Sequence, residues 1–148
     1  MRNGRITQLR IKNHEYFSTF ANKLNGVASY LIISNSTELV RVTSERIVFI
    51  LSDGNYTTLT LTGGEEHIFT LNLGAMQRLI ETQFGDEAQQ FIRVGKSLII
   101  NRNYIYSIHL FKQQLILSDK WFVKKFELSA SREALKQLKV MIEETLKK

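Results

Sequence analysis

From Tyr30 onward, apolar residues come in short runs of β-branched and aromatic side chains cut by turn residues. Tyr30–Ile33, Glu38–Val42 and Arg46–Leu51 are rich in Val, Ile, Leu and Phe, and Ser52-Asp53-Gly54-Asn55 then supplies turn chemistry. Over Tyr56–Thr62 threonine alternates with leucine, the period-two pattern of a strand with one buried face, and Gly63-Gly64 predicts a hairpin into His67–Leu71. The period then changes. Leu73, Met76, Leu79, Ile80 and Phe84 recur at helical spacing, behind Asn72 as a cap and ahead of Gly85, which suits the position just past a helix end. Strands resume at Phe91–Val94, Ser97–Ile100, Tyr104–Leu110, Gln114–Leu117 and Trp121–Val123. Ser131 caps a final helix with Leu135, Leu138, Ile142 and Leu146 in one stripe, Glu133 near its start and Lys147-Lys148 at its end, as the helix dipole favours. The pattern predicts a mainly β domain of small antiparallel meanders over residues 30–148, with one short internal helix and a C-terminal helix. Residues 1–29 differ: Ile11, Phe17, Phe20 and Leu24 line a short helix ended by Asn25-Gly26 among polar and basic neighbours, which predicts a tail or docking helix.

At 148 residues and 43% hydrophobic composition, the chain suits one domain with a sizeable core. It contains no cysteine, which excludes disulfides, thiolate metal sites and cysteine nucleophiles. Apolar runs such as Ile47–Leu51 fall far short of the roughly 20 residues that span a bilayer, so no membrane insertion is expected. No charged-then-apolar leader opens the chain, and the expected compartment is the cytoplasm. The net charge of +6 is unevenly placed. Arg93, Lys96, Arg102, Lys112, Lys120, Lys124 and Lys125 stand against one acid, Asp119, between Phe91 and Lys125, so that segment alone matches the net charge of the chain. Tyr30–Gln90 is acidic by contrast. Such polarisation points to an anionic partner.

Gly95-Lys96-Ser97 ends like a Walker phosphate loop, but Gln90 stands where that loop needs its first glycine, and the strand-forming Leu98–Ile100 follows where it needs a helix. A nucleotide pocket is not expected. His14, His67 and His109 are scattered, with no second ligand at helix or hairpin spacing, and Glu65-Glu66 and Asp86-Glu87 flank turns as solvated carboxylates do. Nothing marks a catalytic site, a metal or a cofactor. Tyr104, Tyr106, Phe111, Trp121 and Phe122 interleave with basic residues as in single-strand binders, yet aromatics in the strands of a small β domain are expected in its core. Duplex DNA asks instead for cations on phosphates and a few side chains at base edges, presented by loops on a rigid scaffold.

Arg41–Tyr56 (RVTSERIVFILSDGNY) resembles the opening of the LytTR DNA-binding domain, and Phe91–Asn101 (FIRVGKSLIIN) resembles its most characteristic segment. A helical stretch lies between them, and Leu128–Arg132 resembles the serine-arginine that opens the family's last helix. The resemblance covers about Tyr30 to Leu146. It implies an elongated, mostly β domain whose loops enter successive major grooves of double-stranded DNA, in the manner of the transcription-regulating output modules of bacterial two-component response regulators. Carried over by position, it implies DNA contacts at Tyr56, Lys96 and Arg132, with Asn55 beside Tyr56 and with Arg93 and Ser97 in support; Asn101 is expected to fix the turn before Tyr104. One departure stands out: the family usually has histidine where this chain has Gly95, which removes a base-edge donor. The 29 leading residues are too few for a receiver domain and leave room for a homodimer or signalling contact. The competing expectation is a β-rich protein-interaction module that has kept the scaffold and lost DNA binding.

Overall fold

The computed structural model of the chain describes residues 29–119 and 124–147. Ten strands and two helices are seen among them: β1 (Tyr30–Ser34), β2 (Leu39–Thr43), β3 (Ile47–Asp53), β4 (Tyr56–Leu61), β5 (Glu66–Phe69), α1 (Leu73–Phe84), β6 (Phe91–Val94), β7 (Leu98–Asn101), β8 (Ile105–His109), β9 (Gln114–Ser118), β10 (Lys125–Ser129) and α2 (Arg132–Thr145). Every strand pair is antiparallel. The strands form a two-stranded sheet β1-β2, a five-stranded sheet in the order β5-β4-β3-β7-β6, and a three-stranded sheet β10-β9-β8.

The five-stranded sheet is buried on both faces, which explains why its central strands read as unbroken apolar runs rather than as alternation. On one face Ile50, Leu59 and Ile99 pack with the β1-β2 hairpin and with Leu73, Met76, Ile80 and Phe84 of α1. On the other, Phe49, Leu98 and Ile100 pack with Leu115 and Leu117 of β9, Phe126 of β10, and Ala134, Leu135 and Leu138 of α2. At a bulge between Ile47 and Phe49 the alternation of β3 breaks, and the consecutive Val48 and Phe49 enter one core while Ile47 and Ile50 enter the other. The rings of Phe49 and Phe126 meet edge-on at 5.5 Å across the two sheets. Gln83 of α1 pairs both its amide groups with the backbone of Ile32, accepting from its N–H at 2.8 Å and donating to its carbonyl at 3.0 Å, which fastens β1 to the helix.

Both predicted caps form: Asn72 Oδ1 accepts from the N–H of Ala75 at 2.8 Å, and Ser131 Oγ from that of Ala134 at 3.1 Å. The apolar stripe of α2 is shorter than its spacing suggests. Leu135 and Leu138 are buried and Ile142 half-buried, but Leu146 lies past the last helical turn and is 79% exposed. The last strand also differs. It occupies Lys125–Ser129, where charged residues alternate with Phe126 and Leu128 and mask the apolar face, whereas the segment expected as strand, Trp121–Val123, lies outside the described residues. So do the expected N-terminal helix carrying Ile11, Phe17, Phe20 and Leu24 and the aromatic rings of Trp121 and Phe122. Among the described residues, no helix is long and apolar enough to cross a membrane.

Candidate nucleic-acid interface

Antiparallel pairing of β3 with β7 sets the two hairpins that contain them side by side. Asp53 and Tyr56 close the β3–β4 hairpin around Gly54-Asn55, with positive φ on Gly54 (66°), as a two-residue turn matched to strand twist requires. Val94 and Leu98 close the β6–β7 hairpin around Gly95-Lys96-Ser97. The N–H of Ser52 donates to the carbonyl of Ser97 at 2.8 Å, so the two tips share one end of the sheet. The start of α2 joins them: a Cβ on Gly95 would sit 3.7 Å from that of Ala134. Three segments far apart in sequence thus meet on one edge of the molecule.

Asn55, Tyr56, Arg93, Lys96, Ser97 and Arg132 are all exposed, Tyr56 by 56%. Arg93 holds no ion pair among the described residues. Its guanidinium donates to Gln77 Oε1 of α1 at 2.9 Å and to the carbonyl of Lys96 at 3.1 Å, so it clamps the loop backbone from below. Gly95 takes a φ of 65°, a conformation that strains any L side chain and suits glycine. Two carboxylates, Asp53 and Glu133, are exposed on the same edge, and the cationic character there comes from Lys96 and Arg132.

Asn101, fully buried, closes the far end of β7 as expected. Its Oδ1 accepts from the N–H of Asn103 at 3.0 Å, and its Nδ2 donates to the carbonyls of Ser44 at 3.3 Å and Ile47 at 3.0 Å. Tyr104 is buried and its hydroxyl donates to the carbonyl of Glu45. Burial, with the Glu45 and Asp119 carboxylates nearby, raises the Tyr104 phenol above its usual range.

Two aromatics expected in the core are on the surface. Tyr106 is 53% exposed beneath the Lys125 ammonium at 4.3 Å, and Phe111 is 84% exposed beneath the Arg132 guanidinium at 5.2 Å. Phe111 falls in the turn between β8 and β9, in the gap between the strands expected at Tyr104–Leu110 and Gln114–Leu117, so the expectation that strand aromatics line the core did not apply to it. Of the described histidines, His67 bonds Glu65 Oε2 at 2.8 Å, and His109 Nδ1 accepts from the N–H of Lys112 at 3.3 Å. The His67 bond is the main cause of a Glu65 pKa below the ordinary carboxylate value. No group of three or more metal-ligating side chains occurs among the described residues.

A family model of the LytTr DNA-binding domain matches residues 37–143. The chain belongs to the LytTr DNA-binding domain family. Among solved structures, this LytTr domain is similar to the LytTr DNA-binding domain of a putative methyl-accepting/DNA response regulator from Bacillus cereus, at a TM-score of 0.55 and 15% identity, covering 77% of this chain and 96% of that one. No curated protein matches. The fold expected from the resemblance is the fold found: small antiparallel sheets, an internal helix and a C-terminal helix on a LytTr scaffold.

Proposed function

We propose that this LytTr protein binds double-stranded DNA sequence-specifically and regulates transcription in the bacterial cytoplasm, through a domain of the type that serves as the output module of two-component response regulators. The observation that carries the reading is the convergence of the Gly54-Asn55 turn, the Gly95–Ser97 loop and the start of α2 on one edge. In this reading Lys96 and Arg132 meet phosphates and base edges, Asn55 and Tyr56 reach the groove from the neighbouring hairpin, and Ser97 hydrogen-bonds at the loop. Arg93 holds the loop in place. Residues 1–29 are assigned to a tail or docking helix that joins two copies or receives a signal, and residues 30–148 to the DNA-binding domain.

Duplex affinity measured across a salt series tests the assignment. Each lost phosphate contact should reduce the slope of log affinity against log salt by about 0.9, so Lys96→Ala and Arg132→Ala should bind more weakly with a shallower slope. A residue that also reads a base should relax discrimination at one position by roughly 1–3 kcal/mol. Unchanged affinity and slope in both variants would overturn the site.

A further inference from the structure

We infer that the β8–β9 turn is a fourth DNA-contacting loop, in which the exposed ring of Phe111 holds the Arg132 guanidinium toward the duplex and is itself buried there, with Lys112 beside it on a phosphate. The inference rests on the DNA-binding reading of this edge and extends it.

Turns favour residues that water tolerates. Phe111 sits at the tip of one with 84% of its surface exposed, more than any other large apolar residue described, and the fold gains no core contact from it. The turn is nevertheless well held. The N–H of Gln113 donates to the carbonyl of Leu110 at 3.1 Å, the N–H of Lys112 bonds His109 Nδ1 at 3.3 Å, and the carbonyl of Gln113 accepts from the N–H of Ala130 at 3.4 Å, just ahead of the α2 cap. Gln113 itself adopts a φ of 51°, costly for a residue with a side chain and maintained by those bonds. The ring is therefore presented, not left loose.

Its position completes a row. Ser52 ties the Gly54-Asn55 turn to the Gly95–Ser97 loop, Gly95 lies beside the start of α2 at Ala134, and Arg132 lies over Phe111 at 5.2 Å. The chemistry of the surroundings decides the partner. A protein-docking site would set the ring among other apolar residues, but here its neighbours along the edge are Lys112, Gln113, Arg132 and Glu133. With Lys112 and Arg132 against the single carboxylate of Glu133, the ring stands in a rim of net positive charge, which fits a polyanion with apolar patches, such as deoxyribose and the thymine methyl group of duplex DNA. Single-strand stacking needs successive rings along one path. Tyr106, the other exposed aromatic of this sheet, lies near the opposite end of β8.

The test compares the full chain with Phe111→Ala, Phe111→Tyr, Lys112→Ala, Arg132→Ala and the Phe111→Ala/Arg132→Ala pair on the duplex enriched from random sequence, across a salt series. Phe111→Ala should weaken binding roughly tenfold with its unfolding midpoint unchanged and its salt slope lowered by less than the about 0.9 of a whole phosphate contact, and Phe111→Tyr should restore most of the loss. Lys112→Ala should lower the slope by about 0.9. The paired variant should be weakened by less than the product of its single effects, because the ring acts partly through the guanidinium. Binding by Phe111→Ala within twofold of the unaltered chain would overturn the fourth loop, and independent effects of Phe111 and Arg132 would overturn the link between them. If the unaltered chain binds no duplex, the DNA-binding reading falls and this inference with it.

Discussion

Tyr104 links a buried hydroxyl to the backbone just ahead of the central strand. Its hydroxyl donates to the Glu45 carbonyl, and the folded chain keeps the phenol protonated to higher pH than the ordinary value of 10.0. A raised acid pKa means that the folded state holds a proton which the unfolded state releases. The stability it carries is complete below the unfolded phenol's pKa and falls as pH rises through and above it. Tyr104→Phe should therefore cost about 1 kcal/mol at neutral pH for the lost hydrogen bond. Urea unfolding at about pH 11 should show the two chains drawn closer, since only the unaltered one loses this stability in alkali. A constant gap would mean that Tyr104 ionises alike in both states. Asn101 shows what sequence can reveal at this scale: an asparagine after an apolar run predicted a fixed turn, and its three hydrogen bonds supply one.

At the scale of elements, the Gly95–Ser97 hairpin depends on one backbone conformation. The space around Gly95 is not the obstacle to a side chain, because the nearest atom to a Cβ there, on Ala134, is at an ordinary 3.7 Å. The φ of 65° is. Gly95→Ala should destabilise the fold by about 1–2 kcal/mol, and Gly95→Asn by less, because asparagine tolerates the left-handed region. Thermal unfolding measures both, and a neutral Gly95→Ala would show that the loop does not need that conformation. The elements themselves were largely legible. Helix caps, the threonine–leucine alternation of β4 and the Gly54 turn declare themselves locally, since each rests on a residue's own geometry. β10 did not, because Lys125 and Glu127 break up the apolar face that Phe126 and Leu128 present. Leu146 misled in the other direction, since periodicity continues past the point where the helix has a surface to cover. The clamp from Arg93 to Gln77 spans 16 residues and has no local signature.

For the whole molecule, the five-stranded sheet with a core on each face is what brings distant segments to one edge. Sequence reading named all six candidate residues, by resemblance or by their place near a turn. It could not show that they share an edge, because that follows from the pairing of β3 with β7 and from the packing of α2, both long-range. The charge map gave the sign of the partner. It did not separate the cations on the edge from those elsewhere, such as Lys125 over Tyr106. The central claim, a LytTr scaffold that reads duplex sequence through the edge carrying Lys96 and Arg132, is tested most directly by selection from random duplex DNA with the full chain and with Lys96→Ala. Enrichment of one defined motif by the full chain, weakened or broadened in the variant, is the result this account predicts. A selection that enriches no motif, or the same motif with equal strength for both proteins, would contradict it.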